Sequence, residues 1–235
     1  MQLLPKIAES SPNGPRSQTT WAYEALRRDI IAGRHSPGVK LNIQDLALEL
    51  KVSPGAVREA LSRLVPEQLT VSQHQRGFLV APLSLADLKD LTELRCEIEA
   101  NALRRSVARG DINWEAQLVA AGHLLGATHQ PKPGSGEVIT EWVTNHAGFH
   151  TALVSACGSP RLLGLHAQLY EQSERYRLLS AYVEPQRDIT GEHRQILELA
   201  LARDANGLEA AVIEHIQRTT ALIIAATRDG TFADS

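Results

Sequence analysis

The sequence contains few cysteines and no long apolar run. Its 235 residues include two cysteines, Cys96 and Cys157, which are far apart and each lie in an apolar helical pattern. This arrangement is typical of buried reduced thiols and not of a disulfide framework. No run of eighteen apolar residues occurs, and the Ser-, Pro- and Gln-rich N-terminal region lacks the apolar core of a signal peptide. We therefore expect a cytoplasmic protein without a membrane partner.

The composition is that of an ordinary globular protein, with 43% hydrophobic and 22% charged residues. The net charge of −3 hides a difference between the two parts of the chain. Residues 1–86 hold 10 Lys and Arg against 7 Asp and Glu, whereas the remainder holds 14 against 20. A basic first part and an acidic second part weakly favour a nucleic-acid-binding module joined to a domain of another kind.

The first part of the chain has the pattern of a winged helix-turn-helix. A helix at residues 21–32 is followed by a short helix capped by Asn42 and by a third helix that begins after Ser53. Two short runs with β propensity, at residues 69–72 and 78–80, then predict a hairpin. The third helix of such a module lies in the major groove of DNA, and the tip of the hairpin contacts the backbone or the minor groove.

Three arginines, Arg58, Arg63 and Arg76, are the cations that this module could present to DNA. The alternative is that they only solvate an amphipathic helix and a turn. The sequence pattern alone leaves both interpretations open.

A helix start at Ser84 opens a second, all-helical part. After one long helix, further helical segments are predicted at about 113–128, 137–157, 160–181, 185–202 and 206–227. This series predicts an antiparallel bundle whose core can hold a ligand or a metal. The predicted organisation is a flexible arm (1–19), a winged helix-turn-helix domain (20–83), a helical domain (84–228) and a polar tail (229–235). The fold class is therefore mainly α with one small β-hairpin.

His146 and His150 lie four residues apart in one of these helical segments. Residues at this spacing are about 40° apart around a helix, so both imidazoles can point toward the same ion. Taken alone, such a pair is more often structural than metal-binding. His193 and His215 lie on other helices, and their spacing does not show whether they join the pair.

The N-terminal motifs resemble those of the GntR superfamily of bacterial transcription factors, notably Val57-Arg-Glu-Ala-Leu61 and Arg76-Gly77-Phe-Leu-Val80. The residues that this resemblance assigns to DNA binding are Ser53, Gly55, Arg58, Arg63, Arg76 and Gly77. Pro54 and Gly55 replace the Arg and Thr that typically contact the operator, so we expect an unusual base preference. The backbone N–H of Gly55 can still bind a phosphate at the helix N-terminus.

Residues 87–226 resemble the FCD effector domain of the FadR-type GntR regulators, through motifs such as Glu192-His193-Arg-Gln-Ile196. Many FCD domains bind a divalent metal, and the resemblance implies the ligands His146, His150, His193 and His215. His146 stands where the family has Asp or sometimes Asn. Four imidazoles favour Zn²⁺, with Ni²⁺ or Co²⁺ as alternatives, over harder ions such as Mn²⁺.

The family places an effector-binding arginine at Arg95, and Arg175 is a weaker candidate of the same kind. A guanidinium can bind both oxygens of a carboxylate. We therefore expect a regulator, and not an enzyme, that binds a palindromic operator as a homodimer and responds to a small organic or sugar acid.

Two alternatives stay open. One is a metal-dependent hydrolase with Glu192 or Glu214 as base, although the sequence has no His-Glu-x-x-His motif. The other is a regulator in which the metal only stabilises the helical bundle.

Overall fold

The computed structural model describes residues 17–73, 77–129, 140–180 and 187–226. Most of the predicted arm, the polar tail and Arg76 lie outside these ranges. The chain divides into two compact units, Met1–Pro82 and Leu83–Ser235. The predicted fold class is confirmed, because the described ranges form nine α-helices and one small antiparallel sheet.

The first unit contains three helices and three short strands. They are α1 (Gln18–Ile31), β1 (Lys40–Leu41), α2 (Ile43–Leu50), α3 (Pro54–Leu64), β2 (Thr70–Gln73) and β3 (Gly77–Val80). The Asn42 side chain accepts from the Gln44 N–H and caps α2, and Ser53 caps α3 in the same way through Ala56. Fully buried residues of the two longer helices, including Leu26, Ile30 and Leu61, form the core.

The sheet has the order β1-β3-β2 with antiparallel neighbours. Strands β2 and β3 are the predicted hairpin, and β1 is a third strand that the sequence pattern did not predict. β1 contains two residues, Lys40 and Leu41, which pair with Leu79 and Phe78. A run this short has no alternation of its own, so only the neighbouring strand makes it part of a sheet.

The second unit is helical throughout the ranges described. Its helices are α4 (Leu85–Arg109), α5 (Ile112–Ala127), α6 (Thr140–Val154), α7 (Pro160–Ser180), α8 (Ile189–Leu201) and α9 (Ala205–Ala226), with a 3₁₀ turn at Ser155–Cys157. Completely buried side chains such as Leu103, Leu118, Phe149 and Leu208 fill its core. Cys96 and Cys157 are free and buried there. None of the helices in the described ranges is both long and apolar enough to cross a bilayer.

Candidate metal centre and DNA-binding surface

Four histidines from three helices meet inside the helical unit. His146 and His150 come from α6, His193 from α8 and His215 from α9, and all are at most 7% exposed. One ring nitrogen from each lies within 4.8 Å of those of the others. Nitrogens on opposite sides of an octahedral ion are about 4.2 Å apart, and those around a tetrahedral ion about 3.4 Å apart. A small inward movement of the rings would therefore complete a metal site.

Hydrogen bonds occupy the Nδ1 atom of three of these rings. His193 Nδ1 lies 2.8 Å from the Ile189 carbonyl oxygen, His215 Nδ1 lies 2.7 Å from Glu192 Oε2, and His146 Nδ1 lies 2.7 Å from the Tyr170 hydroxyl. A carbonyl or a carboxylate only accepts, so His193 and His215 carry their proton on Nδ1. In all three rings Nε2 is the nitrogen left to bind a ligand.

Three nitrogen atoms of the cluster are buried without a hydrogen-bond partner among the residues described. They are both ring nitrogens of His150 and Nε2 of His193. A buried polar group without a partner costs about 1–3 kcal/mol, so its presence in a core calls for a compensating interaction. Lone pairs of imidazole nitrogens are ligands for divalent metals, and the four side chains therefore fit such an ion.

The four imidazoles are held in their neutral form. Burial, followed by the charges of neighbouring histidines, lowers the pKa of His146 and of His150 well below the ordinary value. Burial lowers the pKa of His193 to about 3, and it also lowers the pKa of His215. Only the neutral ring offers a lone pair to a metal, so the fold holds these side chains ready to bind one.

Trp142 and Tyr170 hold the ring of His146. The Trp142 ring stacks on His146 with centroids 4.6 Å apart, and the Arg177 guanidinium lies over the Trp142 ring, 4.8 Å from its centroid. Together with the Tyr170 hydrogen bond, this stacking turns His146 toward the cluster, since its ring centroid lies 4.7 Å from that of His150.

A buried ion pair lies beside the cluster. Arg95 is 8% exposed, donates from Nε to Glu99 Oε1 at 2.9 Å, and lies over the ring of Tyr170 at 4.9 Å. The Tyr170 ring is in turn 5.6 Å from that of His150. Burial alone would raise the pKa of Glu99, but Arg95 and His166 outweigh it and lower the pKa to about 2. The structure thus places the predicted effector residue Arg95 next to the histidines.

Arg175, the second effector candidate, is also buried but lies elsewhere in the unit. Its charge acts on Tyr176 and Asp87. Asp87 lies at the start of α4 and Tyr176 near the end of α7, so these helix ends form the surroundings of Arg175.

Four of the residues predicted to contact DNA are exposed on the first unit. Ser53, Gly55 and Arg58 are exposed around the N-terminal half of α3, and the Arg58 side chain has no hydrogen bond or ion pair among the described residues. Arg63 is exposed as well, but its guanidinium stacks on the ring of Tyr23, 4.3 Å from the centroid. Gly77 begins β3 with a φ of 91°, which favours glycine.

Three residues of the helical site were not predicted from the sequence, although each lies four residues from another polar residue on its helix. Trp142 precedes His146 by four residues, Tyr170 follows His166 by four, and Glu99 follows Arg95 by four. In each pair, the second residue lies on the same face of its helix as the first. That spacing could have marked them as neighbours of the predicted site.

Known proteins resemble this chain over both of its units. The family model described as bacterial regulatory proteins, gntR family, matches residues 18–80, and the FCD domain model matches residues 90–218. The uncharacterized HTH-type transcriptional regulator BphR of Paraburkholderia xenovorans is 39% identical over 92% of this chain and 91% of that protein. The HTH-type transcriptional repressor GlaR of Escherichia coli is 34% identical over 83% of this chain and 90% of its own length.

A solved structure, E. coli McbR/YncC, superimposes with a TM-score of 0.74 at 22% identity, covering 90% of this chain and 99% of that one. A GntR regulator from Rhodococcus aligns with a TM-score of 0.71 at 23% identity, covering 90% of this chain and 99% of its own. At these identities the two structures support the fold.

Proposed function

This chain belongs to the GntR family of bacterial regulatory proteins and is a transcriptional regulator with an FCD domain, and from that membership we propose a ligand-controlled repressor. A small carboxylate metabolite, bound at a divalent metal in the helical domain, modulates its binding to operator DNA. The observation that carries this proposal is the convergence of four buried, neutral histidines.

The chemistry of the site favours an anionic ligand. A bound Zn²⁺, Ni²⁺ or Co²⁺ would supply a Lewis-acidic centre for a carboxylate oxygen. No carboxylate belongs to the histidine set, so the protein ligands leave the charge of the ion uncompensated. The Arg95 Nη groups make no hydrogen bond within the described ranges, while Glu99 fixes the guanidinium through Nε. Arg95 can therefore bind the ligand's carboxylate from the other side.

The DNA-binding role rests on the exposed N-terminal half of α3. Arg58 supplies an exposed cation, and Gly55 supplies a backbone N–H at a helix N-terminus, where phosphate binds favourably. Recognition of a palindromic operator needs two such helices, so we propose a homodimer. Repression, as opposed to activation, is supported by the name of the relative GlaR, a transcriptional repressor.

A DNA-binding titration tests the proposal. A high-affinity site selected from random duplex DNA is titrated by fluorescence anisotropy with the metal-loaded protein, with and without a panel of organic and sugar acids. We expect at least one acid to change the DNA affinity about tenfold, a typical size for allosteric coupling. His193→Ala should abolish this response because it removes a metal ligand, while leaving DNA binding intact.

Arg58→Ala should weaken DNA binding about tenfold or more and reduce its salt dependence. Arg194→Ala is the matched control, because Arg194 is an exposed arginine on α8, and it should have no effect on DNA binding. If no acid changes the affinity and metal removal lowers only the melting temperature, the metal is structural and the proposed sensing function is wrong.

A further inference from the structure

An ion pair between Arg187 and Glu192 lies beside the histidine cluster, where α8 packs against α9. Arg187, just before α8, donates from Nε to Glu192 Oε1 at 2.8 Å and from Nη2 to Glu192 Oε2 at 2.6 Å. The Arg187 side chain is 5% exposed and the Glu192 side chain 18%. Arg187 also donates to Thr219 Oγ1 at 2.9 Å and to the His215 carbonyl at 3.1 Å, both on α9. The orientation of the Glu192 carboxylate is therefore fixed from both helices.

Glu192 and Arg187 compete for the Nδ1 atom of His215. Glu192 Oε2 lies 2.7 Å from that nitrogen, and Arg187 Nη2 lies 3.2 Å from it. A guanidinium can only donate and a carboxylate only accepts, so Nδ1 must be protonated for the first contact and bare for the second. The contact with the carboxylate is 0.5 Å shorter, and Arg187 Nη2 already donates to Glu192 Oε2 and to the His215 carbonyl, so the contact with Glu192 is the stronger of the two. It places the proton on Nδ1 and leaves Nε2 with its lone pair.

We propose that Glu192 is a positioning residue of the metal centre: its carboxylate, clamped by Arg187, fixes the His215 tautomer and ring orientation that present Nε2 to the other three histidines. This inference rests on the proposed metal site and adds a residue that acts through His215. It also gives α8 two roles in the site, since α8 supplies His193 as a ligand and, one residue earlier, orients the ligand of α9.

His215 is the one member of the set whose Nδ1 partner is a charged side chain. His193 Nδ1 is held by a backbone carbonyl, which no substitution removes, and His146 Nδ1 is held by a neutral phenol. A carboxylate on the far nitrogen makes an imidazole a stronger base and restricts its rotation. Removing such a partner typically weakens metal binding about 10- to 100-fold.

The test compares three proteins with the wild type: Glu192→Ala, Glu192→Gln and the control Glu198→Ala. Glu198 is an exposed residue on the same helix without an ion pair among the described residues. Zn²⁺ affinity is measured by competition with a chromogenic chelator. The His215 tautomer is read in the metal-free proteins from long-range ¹H–¹⁵N NMR correlations, and circular dichroism checks the fold.

We expect E192A to bind Zn²⁺ about 10- to 100-fold more weakly and to lose the Nδ1–H tautomer of His215. E192Q keeps an oxygen that can accept from Nδ1 but has neither the charge of the carboxylate nor its ion pair with Arg187, so it should retain the tautomer and bind Zn²⁺ with an affinity between those of E192A and the wild type. E198A should match the wild type. If E192A does not fold, Glu192→Asp replaces it, since its carboxylate is one methylene too short to reach His215.

The inference is overturned if E192A binds Zn²⁺ within about twofold of wild type, or if E192Q is as weak as E192A. Wild-type protein that binds no metal would instead remove the proposed metal centre. In that case the NMR tautomer in the metal-free proteins still decides whether Glu192 orients His215.

Discussion

His150 offers a direct test of whether the cluster is built for a metal, because it is completely buried and neither ring nitrogen has a partner among the described residues. Replacing it with leucine, a side chain of similar size, removes both polar atoms from the core. The same change removes one proposed metal ligand. Compared with the wild type, H150L should therefore be more stable without metal and less stable with metal.

The size of each effect follows from the environment of His150. Removing a buried polar group that has no partner raises the free energy of unfolding by about 1–3 kcal/mol, and the extra volume of leucine offsets up to about 1 kcal/mol of that gain. The metal-free variant should thus be more stable by about 1–2 kcal/mol. For a unit of this size, that raises the melting temperature by about 2–8 °C. Metal at 100 times its Kd stabilises the wild type by about 2.7 kcal/mol, and the variant should gain far less.

The assay is thermal unfolding followed by circular dichroism, once with a chelator and once with saturating Zn²⁺. His123→Leu is the matched control, because His123 is an exposed histidine on α5 and should leave both melting temperatures unchanged. Either of two results would refute the reasoning: a metal-free H150L that melts below the wild type, or an H150L that gains as much from Zn²⁺ as the wild type does.

Three other predictions concern two glycines and the dependence of stability on pH. Gly164→Ala should raise the free energy of unfolding by about 0.5–1 kcal/mol in urea denaturation, because alanine favours the helix and α7 has open space at this position. Gly158→Ala should lower the free energy of unfolding, because Gly158 has a φ of 68° and a Cβ would lie 2.4 Å from Arg109 Nη1. Without metal, stability should fall by about 2 kcal/mol between pH 7 and pH 5 from His193 alone, because the unfolded histidine takes up a proton near pH 6.5 that the folded one, with a pKa of about 3, does not. Urea denaturation that gives the same free energy of unfolding at pH 7 and at pH 5 would contradict the buried, neutral state of His193.

The helix starts could be predicted from the sequence because a cap is a local interaction. Ser53 accepts from Ala56 and Ser84 accepts from Asp87, each three residues away. The pairing of His146 with His150 is equally local, since one helical turn brings both rings to the same face. The family resemblance came from contiguous motifs for the same reason, and the comparisons confirm it.

Other features required the neighbours that the fold supplies. Strand β1 exists because β3 lies beside Lys40 and Leu41, and two residues carry no periodicity that would reveal a strand. Arg95 and Arg175 had the same apparent role in the sequence, but the packing of the bundle gives them different surroundings: Arg95 lies over Tyr170 beside the histidine cluster, whereas Arg175 interacts with the charges of Tyr176 and Asp87.

The sequence by itself determined the helices, their caps and the spacing of one histidine pair, because those depend on residues within about one turn of each other. That His193 and His215 join that pair was implied by the family resemblance and not by their spacing, and the tertiary structure shows the four rings together. Only the tertiary structure revealed that Glu192 lies at the Nδ1 of His215. Ring contacts between α6, α8 and α9 join residues tens of positions apart. They arise when apolar faces pack together, and helical periodicity alone does not specify which faces meet.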